Sequence, residues 1–187
     1  MAKKYIKGFS GLRFWPVTAN TAEAYTTGTV FAVAGAQSAT TDRSTEDYTV
    51  YADDQVWDSG ADFQSEKLEI TVLQLPLDLM AKLDGADYSE QTKTYSWGPD
   101  KVAPELAVGF RALKADGTYR MIKYYSGKVN TIKTDYTTKG SNKEGSAYVI
   151  TLTMNTRVGD GKLHIIKDTE SASDLTWLDT VNQLPTE

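Results

Sequence analysis

Apolar and polar positions alternate with a period of two over most of this chain, the spacing of strand side chains, and runs with helical spacing are few. The clearest case is residues 104–133. Leu106, Val108, Phe110 and Ala112 fall on one face, and Ala107, Gly109, Arg111 and Leu113 on the other. Asp116-Gly117 follows, a pair that tolerates the positive φ of a short hairpin turn. The return strand sets Tyr119, Met121, Lys123 and Tyr125 against Arg120, Ile122 and Tyr124. Ser126-Gly127 marks a second turn, and residues 128–133 carry Val129 and Ile132. The Val108/Phe110 face is the expected core. The other positions are less polar than the wet face of a sheet usually is. Two explanations stand: a sandwich with partly covered edges, or a face that meets another subunit, where tyrosine is enriched. Arg111, Tyr119, Tyr124 and Tyr125 are the candidate hairpin interface.

The same reading extends along the chain. Residues 1–17 alternate loosely through Ile6, Phe9, Leu12, Phe14 and Trp15, with Gly8, Ser10 and Gly11 interrupting, so they predict a broken strand or a docked arm. Residues 29–34 and 48–57 predict strands. Between them, residues 35–47 have almost no apolar content and predict a long polar loop, either a free surface loop or an arm that orders against a partner. Ser38, Thr41, Asp42, Arg43 and Ser44 are its candidate inter-subunit residues, and excising residues 38–44 is expected to leave the fold intact. Residues 66–75 give the best single strand, with Leu68, Ile70 and Val72 on one face. Pro76 opens a short helix whose stripe is Leu79, Met80 and Leu83, and Gly85 ends it. Residues 87–103 are rich in turns, and 135–146 form a second long polar loop. Residues 147–156 and 162–167 predict two more strands. From residue 169 onwards, Ser171 or Ser173 can cap a helix carrying Leu175, Leu178, Val181 and Leu184, stopped by Pro185; the alternative is a tail covering a neighbouring subunit.

Composition narrows the chemistry. The 187 residues suffice for one domain, 1–187, that buries roughly 70% of its unfolded surface. Cysteine is absent, which excludes disulfides, zinc–thiolate sites and thiol nucleophiles; His164 is the only histidine, which excludes two-histidine metal sites. No signal-peptide h-region and no run of about 20 apolar residues appears, so a soluble protein made in a cytoplasm is expected. A net charge of −5 with scattered signs argues against a dedicated nucleic-acid binder. Asp53, Asp54, Asp58, Asp62 and Glu66 do not fit a calcium loop, because setting Gly60 sixth puts Gln55 first. The Gly159–Lys162 run lacks the spacing of a phosphate-binding loop. His164 lies in an apolar strand and reads as a packed or rim residue. No catalytic, cofactor or metal motif is present, and the expectation is not an enzyme.

The order of these pieces resembles the major tail proteins of long, non-contractile-tailed phages of Gram-positive hosts. The resemblance is carried by SEKLEITVLQLPLDLMAKLDG (strand, short helix, glycine), by PELAVGFRALKADGTYRMIKYYSGKV (hairpin, tyrosines, glycine-lysine) and by TIKTDYTTKGSNKEGSAYVITLTMNTRV (threonine-rich loop and closing strand). MAKKYIKGFSGLRF at the N-terminus suits it too, and the likeness runs from about residue 3 to about residue 168. It rests on pattern.

The resemblance implies a mainly β, sandwich- or barrel-like tail-tube fold with one short helix packed on the sheet. It implies a virion protein, assembled in the host cytoplasm, whose copies form stacked hexameric rings. Its partners would be itself, the tape-measure protein, and the tail terminator and distal tail proteins. DNA would pass through the lumen without specific binding, a passage that a mildly acidic subunit favours because a basic lumen would retain phosphates. No cofactor is implied, and no membrane. The alternative is a carbohydrate- or receptor-binding β-sandwich using Trp57, Trp97 and tyrosines.

Overall fold

The protein is described here from a computed structural model, covering residues 5–134, 136, 147–169 and 176–181. It is a mainly β structure of two packed sheets. The first sheet runs in the order β12 (His164–Asp168), β9 (Tyr119–Tyr124), β8 (Leu106–Lys114), β1 (Ile6–Asn20) and β2 (Tyr25–Thr27), with the short β3 (Phe31–Ala32) also on β1. The second runs β10 (Ser126–Thr134), β11 (Tyr148–Asn155), β5 (Gln55–Val72) and β4 (Ala36–Ala52). A small hairpin, β6 (Asp87–Ser89) and β7 (Thr94–Ser96), and one helix, α1 (Leu77–Asp84), lie between β5 and β8 in the chain.

Period-two patterning makes the core. Leu106, Val108, Phe110 and Ala112 are all buried, as the alternation predicts, and Ile122 and Tyr124 continue that inner face. The second sheet answers with Leu68, Ile70 and Val72 from β5 and Ile150, Leu152 and Met154 from β11, all essentially inaccessible. Leu83 brings α1 onto the same cluster. The helix is terminated as its sequence predicts: Gly85 adopts φ 76°, and its N–H returns to the Ala81 carbonyl.

The tightest of the chain's passages between the sheets is a corner. β9 ends at Tyr124, Tyr125 bends, and β10 begins at Ser126, so one run of chain passes from sheet to sheet. Gly127 has no room for a side chain, since a Cβ there would lie 2.7 Å from the Met154 sulfur. The N-terminal segment is tied down as β1, paired with β8 of its own chain; Gly11, at φ 68°, sits in the bulge that interrupts its register.

Several expectations are corrected. Residues 35–47 are not a loop: Gly35 takes φ 79°, and from Ala36 the chain is strand, paired residue by residue with β5. Backbone pairing needs no apolar side chains, so a polar run on a sheet margin gives no alternating signal. Ser38, Thr41, Asp42, Arg43 and Ser44 all lie on this strand, and removing residues 38–44 would cut the sheet rather than spare the fold. Residues 48–57 are not one strand but two, reversed at Asp53 and Asp54, with φ 52° and 59°. The 29–34 strand shrinks to Phe31–Ala32, and a hairpin lies within 87–103. At the C-terminus, Thr176–Leu178 is one 3-10 turn and residues 179–181 are not helical. Its i, i+3 spacing, Leu178 and Val181, serves a 3-10 turn and an irregular strap as well as an α-helix. The remainder of that predicted helix, and the loop at 135–146 apart from Tyr136, lie outside the described residues.

That strap covers the outer face of the first sheet. Leu178 and Val181 are buried, Val181 with Trp15, Tyr25, Ala107 and Tyr125. Gly109 lies under it: a Cβ there would approach the Trp15 ring to 2.8 Å and Leu178 to 3.5 Å. Part of the apolar second face is thus covered by the chain itself.

Two substitutions test these two layers. Phe110→Ala removes a buried ring set edge-to-face on Phe9 at 5.1 Å, and should cost roughly 3–5 kcal/mol in denaturant melts. Gly109→Val should destabilise through the other face and raise the exposure of Trp15 and Trp177 to fluorescence quenchers. An unchanged midpoint for either would show that its layer is loosely packed.

Candidate interaction surface

Beyond the sandwich, β4 and β5 continue as a two-stranded ribbon. The last pair with a core partner is Arg43 with Glu66. From there to the turn the strands rise roughly 30 Å at about 3.3 Å per residue. Tyr48, Val50, Tyr51, Val56, Trp57 and Phe63 are all exposed; Tyr51 and Trp57 show 70% and 73% of their surface. Both faces are wet, because among the described residues no second layer lies over either.

The ribbon forms from local chemistry. Thr49, Val50 and Tyr51 are strand formers, and Asp53-Asp54 makes a two-residue turn with positive φ at both positions. Gly60 leaves space for the Tyr48 ring to lie across the partner strand: a Cβ at Gly60 would sit 2.7 Å from the Tyr48 hydroxyl oxygen. Gln64 donates to Glu46 at 3.1 Å. Residues 44–63 hold Glu46, Asp47, Asp53, Asp54, Asp58 and Asp62 and no basic residue, a formal charge of −6. Among the described residues no three acidic or histidine side chains converge as metal ligands.

At the base of the ribbon a cleft of about 680 Å³ opens between the two sheets. Phe9, Phe110 and Ile122 form its apolar floor, with Ala39 from β4 and Ile166 from β12 as walls. Glu66 lies inside, 2% exposed, and accepts from the Tyr124 hydroxyl at 2.6 Å and from Arg43 at 3.0 Å. Burial first, then the bond to Glu66, raises the Tyr124 pKa. His164 stands in the wall, edge-on to Tyr124 at 5.2 Å, and its Nδ1 is buried with no hydrogen-bond partner among the described residues. On the same inner face, Lys114 and Arg120 both reach Asp168, at 3.3 and 2.8 Å.

The candidate hairpin residues divide. Arg111 and Tyr119 stay part-exposed on the outer face and stack, the guanidinium 5.0 Å from the ring centroid. Tyr124 and Tyr125 are buried and are not surface, which corrects the reading of them as an interface. Tyr124 points into the sandwich at Glu66. Tyr125 packs under Arg157, a fully buried cation 3.9 Å from its ring and bonded to Asp160 at 2.8 Å. Ser38, Thr41 and Arg43 line the cleft, while Asp42 and Ser44 are exposed at the ribbon base. Trp57 and Trp97 do not share a site: Trp57 is on the ribbon, and Trp97 lines a groove with Tyr95 and Tyr148 beside α1. The ribbon as a unit is not among the elements expected from the sequence. Its signal was present, an Asp-Asp pair between two runs of strand formers.

No family model matches this chain, and no curated protein matches it in sequence. Among the described residues no helix is long and apolar enough to cross a membrane.

Lys123 generates a pH prediction. It is buried under the Trp177 ring at 3.8 Å; burial lowers its pKa to about 8, Lys167 adds to the effect, and Asp179 opposes it. An unfolded lysine titrates at about 10.4. Between those values the unfolded chain binds more protons, so stability should rise with pH from 8 towards 10. Above 10 the sign reverses, because burial raises the pKa of Tyr25 and Tyr124 and the unfolded tyrosines ionise first. At the acid end, hydrogen bonding by Arg120 holds Asp168 down at about 2, so that contribution is complete above about 4 and fades as pH falls to 2. Denaturant midpoints from pH 7 to 11 check the alkaline limb: Lys123→Met should flatten the rise and keep the later fall.

Proposed function

We propose that this chain is a structural subunit that assembles with copies of itself into a tube, in the manner of the major tail proteins it resembles. The observation that carries the reading is the ribbon. A two-stranded hairpin is marginal in water on its own, and one that exposes Trp57, Tyr51 and Phe63 gains nothing by standing clear of its domain. Contact with another copy supplies the missing layer. Among the described residues no strand pairs with the outer edges of β4 and β12, and β10 has only the bridge of Lys128 to Glu105; these edges support the same reading, since closing a ring removes them. In this proposal the arm that joins one ring to the next is the β4–β5 ribbon rather than a loop. The partners follow from the resemblance: a tape-measure protein inside the tube, terminator and distal proteins at its ends, and DNA in transit. The proposed place of action is the virion.

A second reading, glycan binding, has one observation in its favour. The groove beside α1 sets Trp97, Tyr95 and Tyr148 near Asp84, Lys101 and Asn130, apolar faces with polar groups between them. A glycan array separates the two readings.

Replacing residues 46–62 by Asn-Gly joins Thr45 to Phe63, which already face each other, through a two-residue turn. The shortened protein should keep its melting temperature and lose assembly, read by sedimentation and negative-stain microscopy beside the intact chain. Normal tubes from the shortened chain would remove the ribbon from the mechanism. An intact chain that stays monomeric at high concentration would remove self-assembly altogether.

A further inference from the structure

We propose that the tip of the β4–β5 ribbon of one copy seats in the cleft at the ribbon base of a second copy. The inference rests on the self-assembly reading and names the two surfaces that meet.

The tip and the cleft are complementary in both apolar character and charge. The tip offers Tyr51, Val56 and Trp57, each more than half exposed, inside a segment with six carboxylates and no cation. The cleft offers an apolar floor of Phe9, Phe110 and Ile122 that no described residue fills. Among the ion pairs of the described residues on that inner face, Arg43 meets Glu66 in the cleft wall, and Lys114 and Arg120 share Asp168 outside the cleft lining, three cations to two carboxylates. An acidic, aromatic tip therefore gains dispersion contacts on the floor and favourable field at the mouth. A purely polar partner would gain no contact on the floor, and a basic one no favourable field.

The tip cannot reach the cleft of its own chain. Thr41 and Arg43, the cleft wall, are the foot of the same ribbon, and the turn at Asp53-Asp54 lies roughly 30 Å further out along paired strands. A ribbon leaving a cleft wall in register must meet a different copy. The contact is then heterologous, one copy's tip on the next copy's base, so it can repeat from copy to copy.

The absence of cysteine gives a direct test. Gln55→Cys places a thiol at the tip beside Trp57, and Gln37→Cys places one at the cleft; both positions are exposed and polar. The two variants are co-assembled with excess unmodified protein and treated with a short bismaleimide. A control pair uses Gln55→Cys with Gln91→Cys, on the exposed β6–β7 turn. The expected result is a several-fold excess of cross-linked dimer for the cleft pair over the control, found only in sedimenting material. Assembly without that excess would overturn the tip-to-cleft contact and leave self-assembly standing. No sedimenting material from the unmodified protein would overturn both.

Discussion

A β-sheet buries side chains only where something lies over its face, and this structure turns on where that cover stops. Over the length of Leu68, Ile70 and Val72, the second sheet faces Leu106, Val108 and Phe110, and both are dry. At Glu66 the cover ends. The carboxylate is still enclosed, and it is affordable there because Tyr124 and Arg43 both bond it. One pair further along the strands have water on both sides, yet hydrogen-bonded pairing continues to the Asp53-Asp54 turn. The Arg43–Glu66–Tyr124 cluster is therefore the last cross-tie of the domain and the foot of everything that projects from it.

The opposite end of the first sheet solves a different problem. Its outer face carries Trp15, Ala107, Tyr125 and Lys123, which no sheet covers. Tyr25 and the 176–181 strap cover it instead. Arg13 bonds the Leu178 carbonyl at 2.9 Å, and Trp177 lies over the Lys123 ammonium. Arg157 fills the corner where β9 becomes β10, between the Tyr25 and Tyr125 rings and bonded to Asp160. Two buried cations, each against an aromatic ring, thus hold the chain's return path and its tail. The face that looked like an interface from its tyrosines is largely an intramolecular one.

These two ends divide the labour in the proposed assembly. The strap and the corner give a subunit that is stable as a folded body. In the proposed contact the ribbon and the cleft of neighbouring copies complete each other. A ribbon already paired along its backbone pays little further ordering entropy when it docks, in contrast to a floppy loop. In the proposed contact the six carboxylates of each ribbon also repel one another's ends at a distance and so favour head-to-tail encounter.

The sequence by itself determined the core and the punctuation. The alternation at Leu106–Ala112, the Asp116-Gly117 turn, and the Pro76–Gly85 helix with its left-handed end were all legible, because each is set by neighbours within a few residues. The residue types also determined that no cysteine or histidine pair could build a site. Tertiary structure alone decided that residues 36–47 are strand, since their pairing partner lies in β5 and backbone hydrogen bonds leave no mark on side-chain pattern. It alone decided that Tyr124 and Tyr125 are interior while Tyr51 and Trp57 are surface. A tyrosine's alternation tells which side of a strand it takes, whereas burial depends on whether a second layer reaches that far.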